Sequence, residues 1–509
     1  MQSPNAPELV YLPDELLENI IGQLESESLV QLSMTCRRLH LLALPIVFAR
    51  AGIRDTRSFF LHDPPPHIFH ALRLALFVQN VESLGVGFTT HYDELLPYTR
   101  ELRRLISRLP SMKRFYLNFS YLYLPPPTVP DPTWQGEVIR LLNLIIHRSC
   151  TFLSVAGGDR IPLDPGVSDA SAIRVQSRSI INSVDLRFRS LLWRINRAVG
   201  FVIPFNLKRL GGRGRHYGLR EFRVLSMILL RPPFLNWTIS TLQNNSRTLT
   251  AVSFKTDGTL ANTWQDILSN ITLPYLSKFE MISSLGFGHQ TVPFNNLLSF
   301  LTRHPSIVSL ELRTVARPTA HRQPRKLLPA LATLRVDPWF TVWLLNREKA
   351  FEHLTSLCLV SEVYLQFPAF NYNTFDDVLS RIPRGAPHVA TLYISFHPEA
   401  GVVEWLDKHV SQENSPVASL TSVTTLNLFQ SRNMWRKEVM ALIPQFVARF
   451  PGLQGFTYAS PPPHVKRVTQ TSFFKEINRA CPGVTIDGLP VDLGMLSQAN
   501  SDTQESLRV

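Results

Sequence analysis

The chain has 509 residues and a net charge of +13, with 44% hydrophobic and 18% charged residues. This composition is typical of a globular protein with a sizeable core and excludes a chain that is disordered throughout. The longest apolar runs, such as Leu41–Ala49, are far shorter than the ~20 residues that a membrane-spanning helix needs, so we expect no membrane segment.

Residues 1–8 predict a flexible tail. Because this segment has none of the features of a signal peptide, we expect a cytoplasmic or nuclear protein. A first helix is then predicted, because Pro13 suits the first turn of a helix and Asp14 is favourable beside the positive end of its dipole. Apolar residues recur at helical spacing through this segment and form one wide stripe: Leu16, Leu17, Ile20, Ile21 and Leu24.

A second helix is predicted to begin at a capping box formed by Ser28 and Gln31. A third is predicted to begin near Cys36 and to end at Pro45, where the proline ring disrupts helical hydrogen bonding. Three helices of this size cannot bury all of their leucines, so we expect an apolar face that a partner covers. The alternative is an ordinary helical hairpin that packs into its own domain.

The order Leu-Pro-Asp-Glu-Leu-Leu, Ile-Ile, Leu, Leu-x-x-Leu, then Thr-Cys-Arg-Arg-Leu makes residues 9–50 resemble the F-box family. In that family the segment docks onto the Skp adaptor, which links it to a cullin scaffold and to the ubiquitin-transfer machinery. This chain departs from the family in having Leu39 where Trp is frequent, and Glu25-Ser26 in place of Asp-Pro. The resemblance implies that these residues form or support an adaptor-binding face: Leu12, Pro13, Leu16, Leu17, Ile20, Leu24, Leu29 and Leu32, with Cys36, Arg37 and Leu39 in the third-helix signature.

After a predicted connector (residues 51–66), a loosely repeated unit of one helix, a turn and a strand of apolar-x-apolar alternation recurs through residue 490, about every thirty residues. The clearest strands end the segments 102–119, 296–315 and 440–459. Others are centred near Leu153, Leu186, Val224, Phe254, Met281, Leu334, Leu357, Leu392 and Leu426.

Each unit has an apolar face that only a neighbouring unit can cover, so the units are expected to stack with parallel strands and right-handed crossovers. The predicted fold is therefore α/β: a three-helix F-box followed by an irregular α/β solenoid. It is similar to the irregular leucine-rich repeats that follow F-boxes in many receptors, although the usual Asn or Cys turn signature is mostly missing. The alternative is a non-repeating α/β domain with a parallel sheet.

In such strands the residues between the apolar ones line the concave surface. They include Asp185, Ser253, Glu280, Glu311, Asp337, Tyr393, Asn427 and Thr457, together with the candidate substrate-binding cations Arg187, Arg223, Lys255, Arg313 and Arg335. Arg187, Arg223 and Lys255 are predicted to place positive charge on three consecutive repeats, where it would suit an acidic or phosphorylated segment. The alternative is that these are solvated residues neutralised by their neighbours.

We find no nucleotide-binding, esterase or zinc-protease motif. The four cysteines lie far apart, and we expect neither a metal nor a cofactor. The chain is therefore predicted to be a non-catalytic substrate receptor of a Skp–cullin–F-box ubiquitin ligase, with Skp, a cullin and an unknown protein substrate as partners. Two alternatives stay open: an F-box protein acting outside cullin complexes, and a basic repeat protein that binds nucleic acid, which we expect less. Residues 491–509 predict a disordered tail.

Overall fold

The computed structural model describes residues 12–88, 95–119, 133–159, 161, 218–256, 259–282, 292–313, 315–317, 323–324, 327–360, 372–396, 401–430, 436–458, 467–486 and 489–490. These residues belong to two compact units. Unit one consists of residues 1–220 and 228–241, and unit two consists of residues 221–227 and 242–509.

Unit one begins with three helices: α1 (Asp14–Ile21), α2 (Ser26–Leu32) and α3 (Arg37–Arg50). Helix α1 has Pro13 at its N-cap and two acidic residues in its first turn, as predicted from the helix dipole. Leu17, Leu29 and Leu44 are buried at the centre of the three helices. Helices α1 and α2 both pack against α3, which is the longest of the three.

Two predicted boundaries in this region are wrong. Helix α3 does not end at Pro45 but continues through it to Arg50. Pro45 lies on the exposed side of the helix, and buried residues on both sides of it, Leu44 and Val47, hold the helix together. Helix α2 begins at Ser26 with Glu25 at its N-cap and no side-chain cap, so Ser28 lies inside the helix and forms no capping box.

The rest of unit one alternates strands and helices in parallel order. These elements are β1 (Ser58–His62), α4 (Pro66–Leu74), β2 (Ser83–Gly87), α5 (Leu95–Arg108), β3 (Arg114–Phe119), α6 (Thr133–His147) and β4 (Phe152–Gly157). Strands β1 to β4 pair in sequence order, and every pair is parallel. Strand β1 lies inside the segment predicted to be a connector, and the sheet begins eight residues after α3.

Unit two continues the same alternation. Its strands are β5 (Glu221–Leu225), β6 (Ala251–Lys255), β7 (Lys278–Ile282), β8 (Ser309–Leu312), β9 (Thr333–Val336), β10 (Ser356–Val360), β11 (Thr391–Phe396), β12 (Thr425–Gln430), β13 (Gly455–Tyr458), β14 (Thr485–Ile486) and β15 (Leu489–Pro490). The helices are α7 (Phe234–Asn244, shared with unit one), α8 (Ala261–Asn270), α9 (Phe294–Arg303), α10 (Pro338–Leu344), α11 (Tyr372–Gly385), α12 (Val402–Ser411), α13 (Lys437–Val447) and α14 (Arg467–Ala480).

Strands β5 to β14 pair in parallel and in sequence order, and only the short β15 is antiparallel to its neighbour. Alternate residues are buried in strands such as β5, β8, β9 and β11. In β10, Leu357 and Leu359 are fully buried, while the residues that alternate with them are half-buried. The apolar side of each strand therefore faces the core and the other side forms the open face.

The predicted α/β fold with parallel strands arranged as in a solenoid is confirmed by these fourteen parallel strands. All the strands predicted beyond residue 66 are present except the one near Leu186, which lies outside the described residues. The predicted tails at residues 1–8 and 491–509 also lie outside them.

Candidate functional site

Helix α1 carries large apolar side chains on two adjacent sides. Leu17 and Ile21 are buried against the other helices, whereas Leu16 and Ile20 are 50% and 51% exposed. Leu16 and Ile20 are four residues apart and therefore lie on the same helix face. Leu24, just after the helix, is also exposed. This exposed stripe is the apolar face that the sequence predicted to need a partner.

The residues predicted for adaptor binding divide into three groups by burial. Leu17 and Leu29 are buried and support the helices rather than face a partner. Leu12, Leu32 and Leu39 are half-buried. The exposed members are Pro13, Leu16, Ile20, Leu24, Cys36 and Arg37. Met34 and Leu41 are also large and exposed, at 54% and 48%, although the sequence singled out neither as an adaptor contact.

Two arginines of α3 form hydrogen bonds with the two ends of α1, and neither role was predicted from the sequence. Arg38 donates through Nε to Asp14 Oδ1 at 2.8 Å, and its guanidinium also donates to the carbonyl of Leu12. At the other end, Arg50 donates to the carbonyls of Leu24 and Gly22, each at 2.6 Å. Carbonyls near a helix C-terminus lack partners within the helix, so Arg50 satisfies groups that would otherwise need water. The exposed stripe is thus held in position from α3.

His40 of α3 joins the three helices to the first repeat. The backbone N–H of Leu76 donates to His40 Nε2 at 3.3 Å, so the other ring nitrogen carries the proton and donates to the carbonyl of Ser33 at 3.2 Å. Phe77 packs edge-on against Phe48 with ring centroids 5.8 Å apart. Helices α2 and α3 also contact α4, so these two helices pack directly onto the first repeat.

The open face of unit two contains the predicted substrate-binding cations. Aligned strand positions form one row: Arg223, Ser253, Glu280, Glu311, Arg335, Cys358, Tyr393, Asn427 and Thr457. Arg187 and Asp185 lie outside the described residues. Asp337 was predicted on this face, but it is buried at the N-cap of α10 instead.

Arg223 and Lys255 do not align: the register partner of Arg223 is Ser253, and Lys255 lies beside Ile282. Acidic neighbours also pair with several cations of this face. Arg223 lies 2.6 Å from Glu221, and Arg313 and Arg335 both reach Glu311, at 3.0 and 3.5 Å. The charges of β5–β9 are therefore mixed in sign and do not form a basic cluster.

Glu280 belongs to this charged row. Burial opposes its ionisation, but Lys278 and Ser253 outweigh that effect with hydrogen bonds, and the pKa of Glu280 is lowered. The carboxylate lies 2.7 Å from Lys278 Nζ and accepts from Ser253 Oγ at 2.5 Å. It is therefore ionised and already satisfied within the sheet.

The open face of β10–β13 has a different chemistry. Tyr393 and Phe429 stack with ring centroids 6.0 Å apart and planes 12° from parallel, and Phe429 is 40% exposed. Asn427 lies beside Tyr393 in the next strand, and its buried amide nitrogen has no hydrogen-bond partner. Burial raises the pKa of the Cys358 thiol to about 11, which leaves it protonated and poorly nucleophilic at neutral pH.

A buried Ser–His–Asp arrangement also occurs in unit two. His409 Nδ1 lies 2.6 Å from Ser415 Oγ, and His409 Nε2 lies 2.9 Å from Asp376 Oδ1. His409 and Ser415 are buried, and Ser415 Oγ also accepts from the backbone N–H of Val417 at the start of the turn Pro416–Ser419. A nucleophile must be reachable by its substrate, so this arrangement serves to connect α11, α12 and the turn.

Within the described ranges, no helix combines the length and apolarity needed to cross a bilayer. Among the same residues, no group of three or more His, Cys, Asp or Glu side chains is placed to hold a metal ion.

Comparison with known proteins agrees with the geometry of the N-terminal helices. The F-box-like family model matches residues 9–50. None of the curated proteins is significantly similar to the chain. Among solved structures, the chain is similar to a Bacteroides fragilis protein studied as a target of the Northeast Structural Genomics Consortium. That protein is 13% identical, the match covers 49% of this chain and 69% of that one, and the TM-score of 0.31 supports no inference. Residues 9–50 are therefore an F-box-like domain, followed by solenoid-like α/β repeats.

Proposed function

We propose that the chain is the substrate receptor of a Skp–cullin–F-box ubiquitin ligase. The F-box would bind the Skp adaptor, and the repeats would bind the protein to be ubiquitinated, in the cytoplasm or nucleus. The observation that carries the proposal is the half-exposed pair Leu16 and Ile20 inside the segment that matches the F-box-like family. An apolar stripe left uncovered on a helix marks a surface for a partner.

The repeats support the second half of the proposal. Parallel strands with helices between them present one open face, and stacked repeats of this kind provide extended surfaces for protein binding. The chemistry of ubiquitin transfer would be supplied by the other subunits of the ligase.

Introducing negative charge on the stripe tests adaptor binding. The chain with Leu16→Asp and Ile20→Asp, co-expressed with a Skp adaptor, should capture at least about tenfold less adaptor than the parent, because two apolar contacts become buried charges. The unfolding temperature should change little, since both side chains are half-exposed in the free chain. Adaptor capture and thermal unfolding are measured on the same preparations.

The matched control is Glu18→Ala with Asn19→Ala, which changes two exposed polar residues of the same helix. It should keep adaptor capture within about twofold. If both double variants capture the adaptor as well as the parent does, the docking assignment is wrong.

Co-elution of a cullin separates the ligase subunit from an F-box protein that acts without a cullin. The parent should carry a cullin into the eluate only when the adaptor is bound, and adaptor without cullin would favour the second role. A nucleic-acid-binding protein would instead retain nucleic acid and lose it steeply as salt rises, because binding releases counterions.

A further inference from the structure

We propose that the open face of β11–β13 binds an uncharged segment of the substrate protein. An apolar or aromatic side chain of that segment lies against Tyr393 and Phe429, and a carbonyl oxygen accepts a hydrogen bond from the Asn427 amide. The inference rests on the proposed function, since it names the site and the chemical class of the substrate segment.

The Asn427 amide is the first observation. Leu426 and Leu428 on either side are fully buried in the core, so the side chain of Asn427 projects to the open face. Asn427 is nevertheless only 6% exposed, and its Nδ2 has no hydrogen-bond partner. A buried donor without an acceptor destabilises the fold, so its presence calls for an acceptor that arrives with a ligand.

The second observation is the aromatic pair next to it. Tyr393 is the register partner of Asn427, and Phe429 lies two residues further along the same strand, on the same face. The two rings stack and leave Phe429 40% exposed. Aromatic surfaces contribute strongly to binding when another apolar side chain covers them. The ring pair and the amide donor thus lie side by side, as an extended peptide requires.

The absence of charge decides which partner fits. The open-face positions of β11–β13 are all uncharged in the described residues: Thr391, Tyr393, Ser395, Thr425, Asn427, Phe429, Gly455 and Thr457. An acidic or phosphorylated segment would lose hydration here without gaining a cation. Charge complementarity therefore selects an uncharged segment at this site, in contrast to the charged row of β5–β9.

The test uses the full chain bound to the Skp adaptor and two synthetic libraries of short peptides. One library has uncharged residues around a central phenylalanine, and the other has a central phosphoserine flanked by aspartates. Retained peptides are quantified by mass spectrometry. We expect the parent to enrich the first library only. Retention should fall at least about tenfold in Asn427→Ala and in the Tyr393→Ala, Phe429→Ala pair.

The matched control is Tyr275→Ala, which removes an aromatic ring that is 62% exposed elsewhere in unit two. It should retain the first library as the parent does. Thermal unfolding supplies a second readout, because Asn427→Ala removes a buried donor that has no partner. Its unfolding temperature should stay the same or rise, whereas an asparagine with a structural role would lower it.

The proposal is overturned if the first library is not enriched, or if the variants retain it as the parent does. It is equally overturned if Asn427→Ala lowers the unfolding temperature by several degrees. Retention of the phosphoserine library, lost on Arg313→Ala with Arg335→Ala, would place recognition on the charged row instead. The adaptor is quantified in the same eluates. If the parent chain does not retain the adaptor, the result contradicts the proposed function rather than the peptide site.

Discussion

The carboxylate of Asp376 is the most heavily hydrogen-bonded side chain of the buried Ser–His–Asp arrangement. It accepts from Trp405 Nε1 at 2.7 Å, from His409 Nε2 at 2.9 Å and from Lys408 Nζ at 2.6 Å. Burial opposes its ionisation, but these donors outweigh that effect and lower the pKa of Asp376 to about 2. One residue of α11 is in this way joined to three residues of α12.

Asp376 should make stability depend on pH in acid. Its folded pKa of about 2 lies below the ordinary value of 3.8, so the unfolded chain binds the proton more tightly. The stabilisation, about 2 kcal/mol, is therefore complete above pH ~4 and is lost as the pH falls towards 2. Asp376→Asn should lower the unfolding temperature at pH 6, and its difference from the parent should shrink by pH 3.

Asp377→Asn is the control, since Asp377 is the exposed neighbour in the same helix. Burial lowers the pKa of His304, so this residue also destabilises the fold in acid. Comparing the variants with the parent at each pH removes that contribution, because His304 is present in all of them. A gap between the parent and Asp376→Asn that stays constant from pH 6 to pH 3 would contradict the assignment.

At the scale of elements, α1 is a two-turn helix whose position depends on α3. A helix this short is not stable by itself in water, so contacts at its ends matter. Arg38 donates to Asp14, the first residue of α1, and to the carbonyl of Leu12 before it, and Arg50 donates to carbonyls of the turn after it. The exposed stripe of Leu16 and Ile20 can meet a partner in a defined geometry because both ends are held.

Replacing both arginines should loosen α1 without removing any apolar contact. In Arg38→Ala with Arg50→Ala, the amide hydrogens of α1 should exchange faster and the adaptor affinity should fall by about tenfold, since each lost set of hydrogen bonds is worth about 0.5–1.5 kcal/mol. Hydrogen exchange and adaptor titration measure the two effects.

Arg37→Ala serves as the control for hydrogen exchange, because Arg37 is exposed and adjacent to Arg38 in the same helix. Arg37→Ala should leave amide hydrogen exchange in α1 unchanged, whether or not it changes the adaptor affinity. Unchanged exchange in the double variant would show that packing alone positions α1.

At the scale of the whole molecule, the F-box helices share a compact unit with β1–β4, whereas the proposed peptide site lies in the other unit. The contacts of His40 with Leu76 and of Phe48 with Phe77 make the first repeat part of the support of the F-box. Damage to the core of unit one should therefore reduce binding at the proposed adaptor site, and equal damage to unit two should not.

Two fully buried strand leucines allow that comparison. Leu84→Ala in β2 and Leu334→Ala in β9 should each cost about 2–5 kcal/mol through the cavity that they leave. Near the unfolding midpoint, Leu84→Ala should lose adaptor capture, while Leu334→Ala should lose peptide retention and keep adaptor capture. Equal loss of adaptor capture in both variants would show that the two units unfold together.

The sequence by itself determined the classes of structure, because these depend on local periodicity. Apolar residues at helical spacing predicted α1, and apolar-x-apolar alternation placed all the described parallel strands beyond residue 66 except β2 and β14. Strand β1 was missed because it follows α3 after a short segment without a preceding repeat helix. Pro45 was misjudged because the tertiary contacts of Leu44 and Val47 outweigh the local cost of proline.

Only the tertiary structure decided which predicted site residues face outward and which charges are already paired. Leu16 and Leu17 are adjacent and equally apolar, and the packing of α3 decides that one is exposed and the other buried. Glu221 pairs with Arg223 of the predicted basic cluster, and Glu311 pairs with Arg313, another candidate substrate-binding cation. The lack of a hydrogen-bond partner for Asn427 Nδ2 is visible only in the tertiary structure, because hydrogen-bond satisfaction depends on residues far apart in the chain.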